Sequence, residues 1–387
     1  MADRALHIGI DARELAGHPT GVGKYLSGLL RAWAADAGLR HRFTLFAPHE
    51  NTREASADSH PASGTGHQCL EVPELSLLGP RFTFAGEPTT RGGGTWWEQA
   101  KLPGLAAKAG VDVWFSPGYT APQLLRCPLV VAIHDVSFFA HPEWFGWREG
   151  LRRRWLTRAS AHRAHSVVTI SEFSAGEIVR RLRIPRDRIT LAPPGAPHVA
   201  LPVHGARQPI VLFVGSLFNR RRLPDMLHAF KLTVARVPEA RLILVGDNRT
   251  HPRIDPLGMA ATLGLSGQVE WRSYVCDEER DDLYDRAKVF LFLSEYEGFA
   301  MTPLEALAHG VPSVLLDTKL TREVYGRAAR ISPGNAQSIS DALVELLTDA
   351  GIHAQTMEAG RTLLATYSWA SSAKIVLQAL EEAAAAG

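Results

Sequence analysis

VFLFLSEYEGFAMTPLEALAHGVPSVLL, residues 289–316, holds a whole strand-loop-helix-strand unit in one stretch. Val289–Leu293 is an unbroken apolar run of strand length, Pro303–His309 is made of helix formers behind a proline, and Ser313–Leu316 is apolar again. Apolar runs that do not alternate with polar residues belong to parallel strands covered on both faces by helices. The same alternation extends outward through strand Ile210–Val214, helix Pro224–Arg236, strand Arg241–Val245 and a helix near Asp277–Ala287. The first half repeats it, with strand Leu6–Ile10, a helical pattern over Lys24–Ala34, and strands Phe43–Ala47, Val111–Ser116, Leu129–His134 and Ser166–Ile170. Repeated βα units predict an α/β chain with parallel sheets.

At 387 residues, 45% hydrophobic and 21% charged, the chain is long enough for two such domains and has the composition to fill two cores. The expected division is residues 1–200, with 51–94 as a long loop or insertion, then 201–368. A helix over 369–387 either ends the second domain or crosses back to the first. Prolines 193, 194, 197, 202 and 209 mark the joint. A net charge of +2 excludes nucleic acid as the main partner. The cysteines, Cys69, Cys127 and Cys276, are three in number and without metal-ligand spacing, so no metal site and a reducing, cytoplasmic setting are expected. Neither a signal-peptide apolar core nor an apolar run of about 20 residues is present, which places the expected site of action inside the cell or at a membrane surface.

In open parallel sheets ligands bind beyond the carboxyl ends of the strands, so the residues just after each strand carry the functional signal. Gly21-Val22-Gly23-Lys24 precedes a helix and reads either as an ordinary turn or as a backbone approach to phosphate; Leu26 breaks a dinucleotide fingerprint. His134-Asp135 follows a strand. After Ile210–Val214 come Gly215-Ser216-Leu217-Phe218-Asn219 and then Arg220-Arg221-Arg222, which read either as solvated surface or as guanidinium forks for a diphosphate. In Ser294–Ala306, Glu297 and Glu305 are carboxylates suited to vicinal hydroxyls of a sugar and a ribose. Thr302-Pro303-Leu304-Glu305 also matches a capping box with proline at the first helical position, a competing use for the same carboxylate.

Together these segments resemble the retaining glycosyltransferases of family four. The likeness rests on Gly21–Leu26, His134-Asp135, Ile170-Ser171-Glu172-Phe173-Ser174, Val214–Leu217, Leu244-Val245-Gly246-Asp247 and the Glu297–Glu305 pair. It implies the GT-B fold, two Rossmann-like domains with parallel sheets facing an interdomain cleft. It also implies that the donor is held by Gly21, Gly23, Gly215, Ser216, Arg220, Arg221, Tyr274, Val275, Glu297, Gly298, Phe299, Ala300, Met301 and Glu305. The acceptor side falls to Lys24, Tyr25, Tyr119 and Asp135. His134, Arg220, Arg221 and Glu297 take the catalytic roles. The sequence departs from the family pattern at Arg221, where lysine is usual, and at Ala300 and Thr302, where glycine and proline are commoner.

Transfer of a glycosyl group leaves negative charge on the departing diphosphate, which a metal or fixed cations must stabilise. No Asp-X-Asp motif occurs, and Arg220–Arg222 with helix N-termini are expected to serve, so no cofactor beyond the nucleotide-sugar substrate is expected. The resemblance implies retention, with the diphosphate oxygen as base. The expected activity is hexosyl transfer to a saccharide, lipid-linked or secondary-metabolite acceptor; the rivals are a sugar-nucleotide epimerase and a non-catalytic sugar-nucleotide-binding module. Trp144, Trp147, Leu151 and Trp155 fall at helical spacing among Arg148, Arg152, Arg153, Arg154 and Arg158, and Arg180, Arg181, Arg183, Arg186 and Arg188 follow. Two readings stand for this segment: an apolar face in the first domain's core, or contact with anionic membrane.

Overall fold

The computed structural model describes residues 4–15, 21–49, 78–88, 94–197 and 207–387. The chain forms two compact units, residues 1–195 with 368–387, and residues 196–367.

Among the described residues the first unit has seven strands: β1 (His7–Asp11), β2 (Arg42–His49), β3 (Phe82–Pro88), β4 (Val113–Ser116), β5 (Leu129–Ala132), β6 (Ser166–Thr169) and β7 (Ile189–Leu191). Their order is β3-β2-β1-β4-β5-β6-β7, and every pairing is parallel. Of the long loop or insertion expected over 51–94, β3 rules out the loop alternative at Phe82–Pro88, which pairs with β2 along its whole length. The rest of that segment up to residue 93, apart from 78–81, lies outside the described residues. The strand order reverses between β1 and β4, which is where such a sheet opens a binding crevice at its carboxyl edge.

Helix Gly21–Ala35 buries Leu26, Leu29, Leu30 and Trp33 at three- and four-residue spacing. Its partner is the closing helix Trp369–Ala386, which belongs to this unit. Trp33 Nε1 donates to the Ala373 carbonyl at 2.9 Å, and His41, whose Nδ1 accepts from the Leu6 amide, donates from Nε2 to Glu381 at 2.9 Å. Gly28 makes the close approach: a Cβ there would sit 2.5 Å from the Trp369 ring. The core reading of the tryptophan face on helix Trp147–Arg163 does not hold, since Trp147, Leu151 and Trp155 are all exposed.

The second unit contains β8 (Ile210–Val214), β9 (Arg241–Val245), β10 (Val269–Arg272), β11 (Val289–Phe292), β12 (Ser313–Leu316) and β13 (Ala329–Ser332), in the order β10-β9-β8-β11-β12-β13. All of its ladders are parallel too, and its reversal lies between β8 and β11. β11 and β12 are wholly buried, as their continuous apolar runs require. Gly215 and Gly246 end β8 and β9 side by side with φ of 143° and 135°. A Cβ on Gly246 would lie 2.2 Å from the Gly215 carbonyl oxygen, so a side chain there would force the two strand ends apart.

Candidate active site

In the second unit the chain leaves β8 through Gly215 and Ser216 and enters a single 3-10 turn, Asn219–Arg221. Arg222 closes the turn with φ of 56°, and this backbone splits the three arginines into two groups. Arg222 turns away to Asp225 at 2.9 Å and to the Gly334 carbonyl at 3.1 Å, so it anchors the following helix and is not a third cation of the site. Arg220 lies over the Phe218 ring at 4.4 Å, and Arg221 over the Phe292 ring at 4.1 Å. The flat guanidinium groups rest on aromatic faces, which fixes the planes in which their N–H groups point.

The loop after β11 supplies the carboxylate opposite them. Glu297 Oε1 accepts from Ser294 Oγ at 2.6 Å, lies 3.0 Å from Arg221 Nη2 and 3.6 Å from Arg220 Nε. The Glu295 amide donates to the Arg220 carbonyl at 3.0 Å, which ties the two loops together. The Arg221 side chain is half-buried, and the loss of water around its guanidinium, helped by Arg220 and opposed by Glu297, pulls its pKa down to about 10, which keeps it charged at neutral pH. Its Nε and Nη1 have no hydrogen-bond partner among the described residues. Two buried donors on one cation are a costly arrangement that an anionic ligand would relieve.

Helix Met301–Ala308 begins directly after Ala300, whose φ of 67° places it in the left-handed region. This overturns the capping-box reading: the helix starts two residues before Pro303, its cap is Ala300, and no side chain caps it. Glu305 therefore has no capping role, and the Tyr284 hydroxyl donates to its Oε2 at 3.4 Å. Tyr284 is fully buried and stacked on His309, and burial followed by the charge of Glu305 raises its pKa, so it stays a donor. The Tyr325 hydroxyl donates to the Ala300 carbonyl and holds the turn. Gly298 and Phe299 are buried, with Phe299 edge-on to Tyr367, while Met301 is half-buried. Tyr274 is exposed and Val275 half-buried just beyond the end of β10.

The first unit gathers a different set at the ends of β4 and β5. His134 is buried, and its Nε2 lies 2.7 Å from the Pro117 carbonyl, which can only accept. Nε2 therefore carries the hydrogen and Nδ1 offers a lone pair. Burial lowers the His134 pKa, against the opposing pull of the Pro117 carbonyl and Asp135, so the ring is neutral at pH 7. Its backbone carbonyl accepts from Ser174 Oγ at 2.8 Å, and Ser171 caps the helix Glu172–Leu182 by accepting from the Ser174 amide. The Ile170–Ser174 motif thus anchors the histidine. Tyr119, with φ of 64°, donates to Asp135 Oδ2 at 2.9 Å, and Asp135 Oδ1 accepts from the Ser137 amide at 2.7 Å.

Tyr25 corrects one expectation. Placed on the acceptor side by sequence, it is 1% exposed, gives its hydroxyl to the Ala192 carbonyl at 2.9 Å, and meets His134 edge-on at 4.9 Å. It supports the histidine ring and has no surface left for an acceptor. Gly21 opens the helix and Lys24 is half-buried in the same turn, while Gly23 is buried. Sequence reading missed a buried ion network beside them: Arg13 Nη2 meets Asp11 at 2.6 Å and Glu98 at 2.9 Å, and Thr120 Oγ1 donates to Glu98 at 2.6 Å. Burial opposes the charge on Arg13, but Asp11 and Glu98 outweigh it and raise the pKa. The signals were Asp11 at the end of β1 and an acid beside Trp96-Trp97; Ser294 and Tyr284 gave none.

The family model for glycosyltransferase family 4 matches residues 19–198, and the model for glycosyl transferases group 1 matches residues 202–363. The O-antigen chain mannosyltransferase B of Escherichia coli is 29% identical over 66% of this chain and 71% of that one. The GDP-mannose:cellobiosyl-diphosphopolyprenol alpha-mannosyltransferase of Xanthomonas campestris is 25% identical over 67% of this chain and 69% of its own. The serotype-specific mannosyltransferase WbdA of Escherichia coli is 25% identical over 64% of this chain, which spans only 32% of that longer protein. Among solved structures, Anabaena HepE in complex with UDP and glucose superposes with a TM-score of 0.70 at 16% identity, over 97% of this chain and 100% of that one. WaaG, a glycosyltransferase involved in lipopolysaccharide biosynthesis, gives 0.67 at 15% identity over 97% and 99%. Two parallel α/β units of the GT-B fold, each half matched by its own family model, make this chain a member of the family-4 glycosyltransferases.

Proposed function

We propose that the chain is a retaining, metal-independent hexosyltransferase that takes its sugar from a nucleotide-diphosphate donor and gives it to a saccharide or lipid-linked acceptor. GDP-mannose is the first donor to test, because several relatives are named as mannosyltransferases and one as a GDP-mannose enzyme. The observation that carries the reading is the half-buried Arg221, paired with Glu297 through Nη2 and left with its buried Nε and Nη1 unpartnered. A diphosphate satisfies those donors, and with Arg220 beside it the site supplies fixed positive charge where charge develops on the leaving group.

In this mechanism the bond from C1 of the sugar to the diphosphate oxygen breaks while the acceptor hydroxyl bonds to C1 on the same face. The acceptor's proton passes to the departing phosphate oxygen. Glu297, oriented by Ser294, accepts from hydroxyls of the donor sugar, and Glu305, oriented by Tyr284, accepts from those of the ribose. Neutral His134 accepts a hydrogen bond from a hydroxyl at Nδ1 and contributes position rather than charge.

The test is transfer from GDP-mannose, UDP-glucose and UDP-N-acetylglucosamine to short mannosides in the presence of chelator, with the anomeric configuration of the product read by proton NMR. The reading requires one donor series to give an α-linked product with chelator present. An inverted product, or activity that returns only with manganese, contradicts it. Isomerised nucleotide sugar with no acceptor consumed points to the epimerase instead.

A further inference from the structure

Helix Trp147–Arg163 turns Gly150, Leu156, Thr157, Ser160 and Ala161 inward. On its outer side Trp147, Leu151 and Trp155 are 73%, 56% and 64% exposed. A spacing of four residues places them along one line of the helix. Two largely exposed tryptophans flanking a leucine are far from what contact with water alone selects. Trp96, in the turn tied to this helix by a 2.9 Å bond from Arg152 to Thr95, is exposed as well.

The residues beside that line are cationic. The helix carries six arginines against one acid, Glu149, and Arg153 occupies that acid at 2.7 Å. Arg148, Arg152 and Arg154 have no carboxylate partner among the described residues. At 100° per residue Arg148 and Arg152 fall to one side of the apolar line, Arg154 to the other, and Arg158 continues it. Arg158 reaches the Arg181 carbonyl at 2.9 Å, which brings the basic run Arg180–Arg183 next to the same face.

We infer that this face docks the first unit on an anionic lipid bilayer, with the helix lying in the headgroup layer parallel to the surface. Indole rings favour that depth, and arginines bury their stems while keeping their charge among lipid phosphates. Unpaired guanidinium groups are drawn there by the negative surface potential. Tryptophan and arginine also mark protein interfaces, but there they fill desolvated pockets, whereas this line stands on the outer side of a helix with cations along both of its flanks. No described helix is long and apolar enough to cross a membrane, so the attachment is peripheral and reversible. The inference stands apart from the identity of donor and acceptor.

Flotation of the full chain with vesicles tests it, using phosphatidylcholine alone or mixed equally with phosphatidylglycerol. The chain is expected to float with the mixed vesicles, to stay behind with the neutral ones, and to be released by high salt. Trp147→Ser with Trp155→Ser should cut the bound fraction at least about tenfold. Each of Arg148→Gln, Arg152→Gln and Arg154→Gln should cost about fivefold. All five positions are solvent-exposed or nearly so, and unchanged melting of the variants will show that the fold is intact. Failure to float with anionic vesicles, or flotation that the tryptophan variant leaves unchanged, overturns the inference. So does a dimer in sedimentation that the same variant dissociates, because the face would then belong to a second copy.

Discussion

The two halves of the molecule repeat one architecture and use it for opposite electrostatics. Beyond β8 and β11, the second unit concentrates charge: two arginines on aromatic platforms and a carboxylate within 3.6 Å of both. Beyond β4 and β5, the first unit presents a neutral histidine with its tautomer fixed by Pro117 and its backbone fixed by Ser174. A cation with two buried, unmet donor nitrogens suits a ligand that arrives charged, whereas a locked neutral ring suits one that arrives with hydroxyls. The same strand-end position thus serves two chemistries, set by what the following loop brings beside it.

The contrast breaks most visibly at Arg221. Arg221→Met removes the charge and both unpartnered donors, and kcat/KM for transfer should fall about 10²- to 10³-fold. Arg222→Met, one residue on, should leave the rate within about threefold and cost about 1 kcal/mol of stability, because that guanidinium is spent on Asp225 and Gly334. Steady-state kinetics on the pair, with urea unfolding as the control, tests whether the 3-10 turn separates the arginines as described.

The neutral half is checked through pH. Burial lowers the His134 pKa below 6.5, so the folded protein resists a proton that the unfolded chain accepts. Its contribution to stability is complete above that value and is lost as pH falls through it. The acid limb of kcat/KM should accordingly lie below pH 6.5 and disappear in His134→Gln. An acid limb unmoved by that substitution would assign the titration to another group.

Smaller effects sharpen the picture. Tyr284→Phe loosens Glu305 and should raise KM for the donor about two- to tenfold with kcat little changed. Ala300→Gly relieves a left-handed alanine, and chemical unfolding should show a gain of roughly 0.5 kcal/mol.

The central strands were legible because burial on both faces writes itself as continuous apolar runs, as in Val289–Leu293 and Ile210–Val214. The edge strands β3, β7, β10 and β13 were not, since one flank needs no apolar cover and Glu270 and Arg272 can stand in β10. Phe82–Pro88 also sits next to a polar stretch that masked it. In the site, residue types at strand ends were readable, but backbone conformation was not. A left-handed Ala300 starts its helix two residues before Pro303 and voids the capping box, and a left-handed Arg222 divides three arginines that look equivalent in sequence. What the hydroxyls of Tyr25 and Tyr119 reach, the Ala192 carbonyl or Asp135, depends on contacts across the fold that residue type does not reveal.

The most direct measurement is calorimetric titration of the full chain with GDP, UDP and ADP in chelator, repeated with Arg221→Met. The account predicts that one nucleotide binds with an affinity unaffected by chelator and weakened at least about tenfold by the substitution. Binding that needs a divalent metal, or that Arg221→Met leaves unchanged, would contradict it.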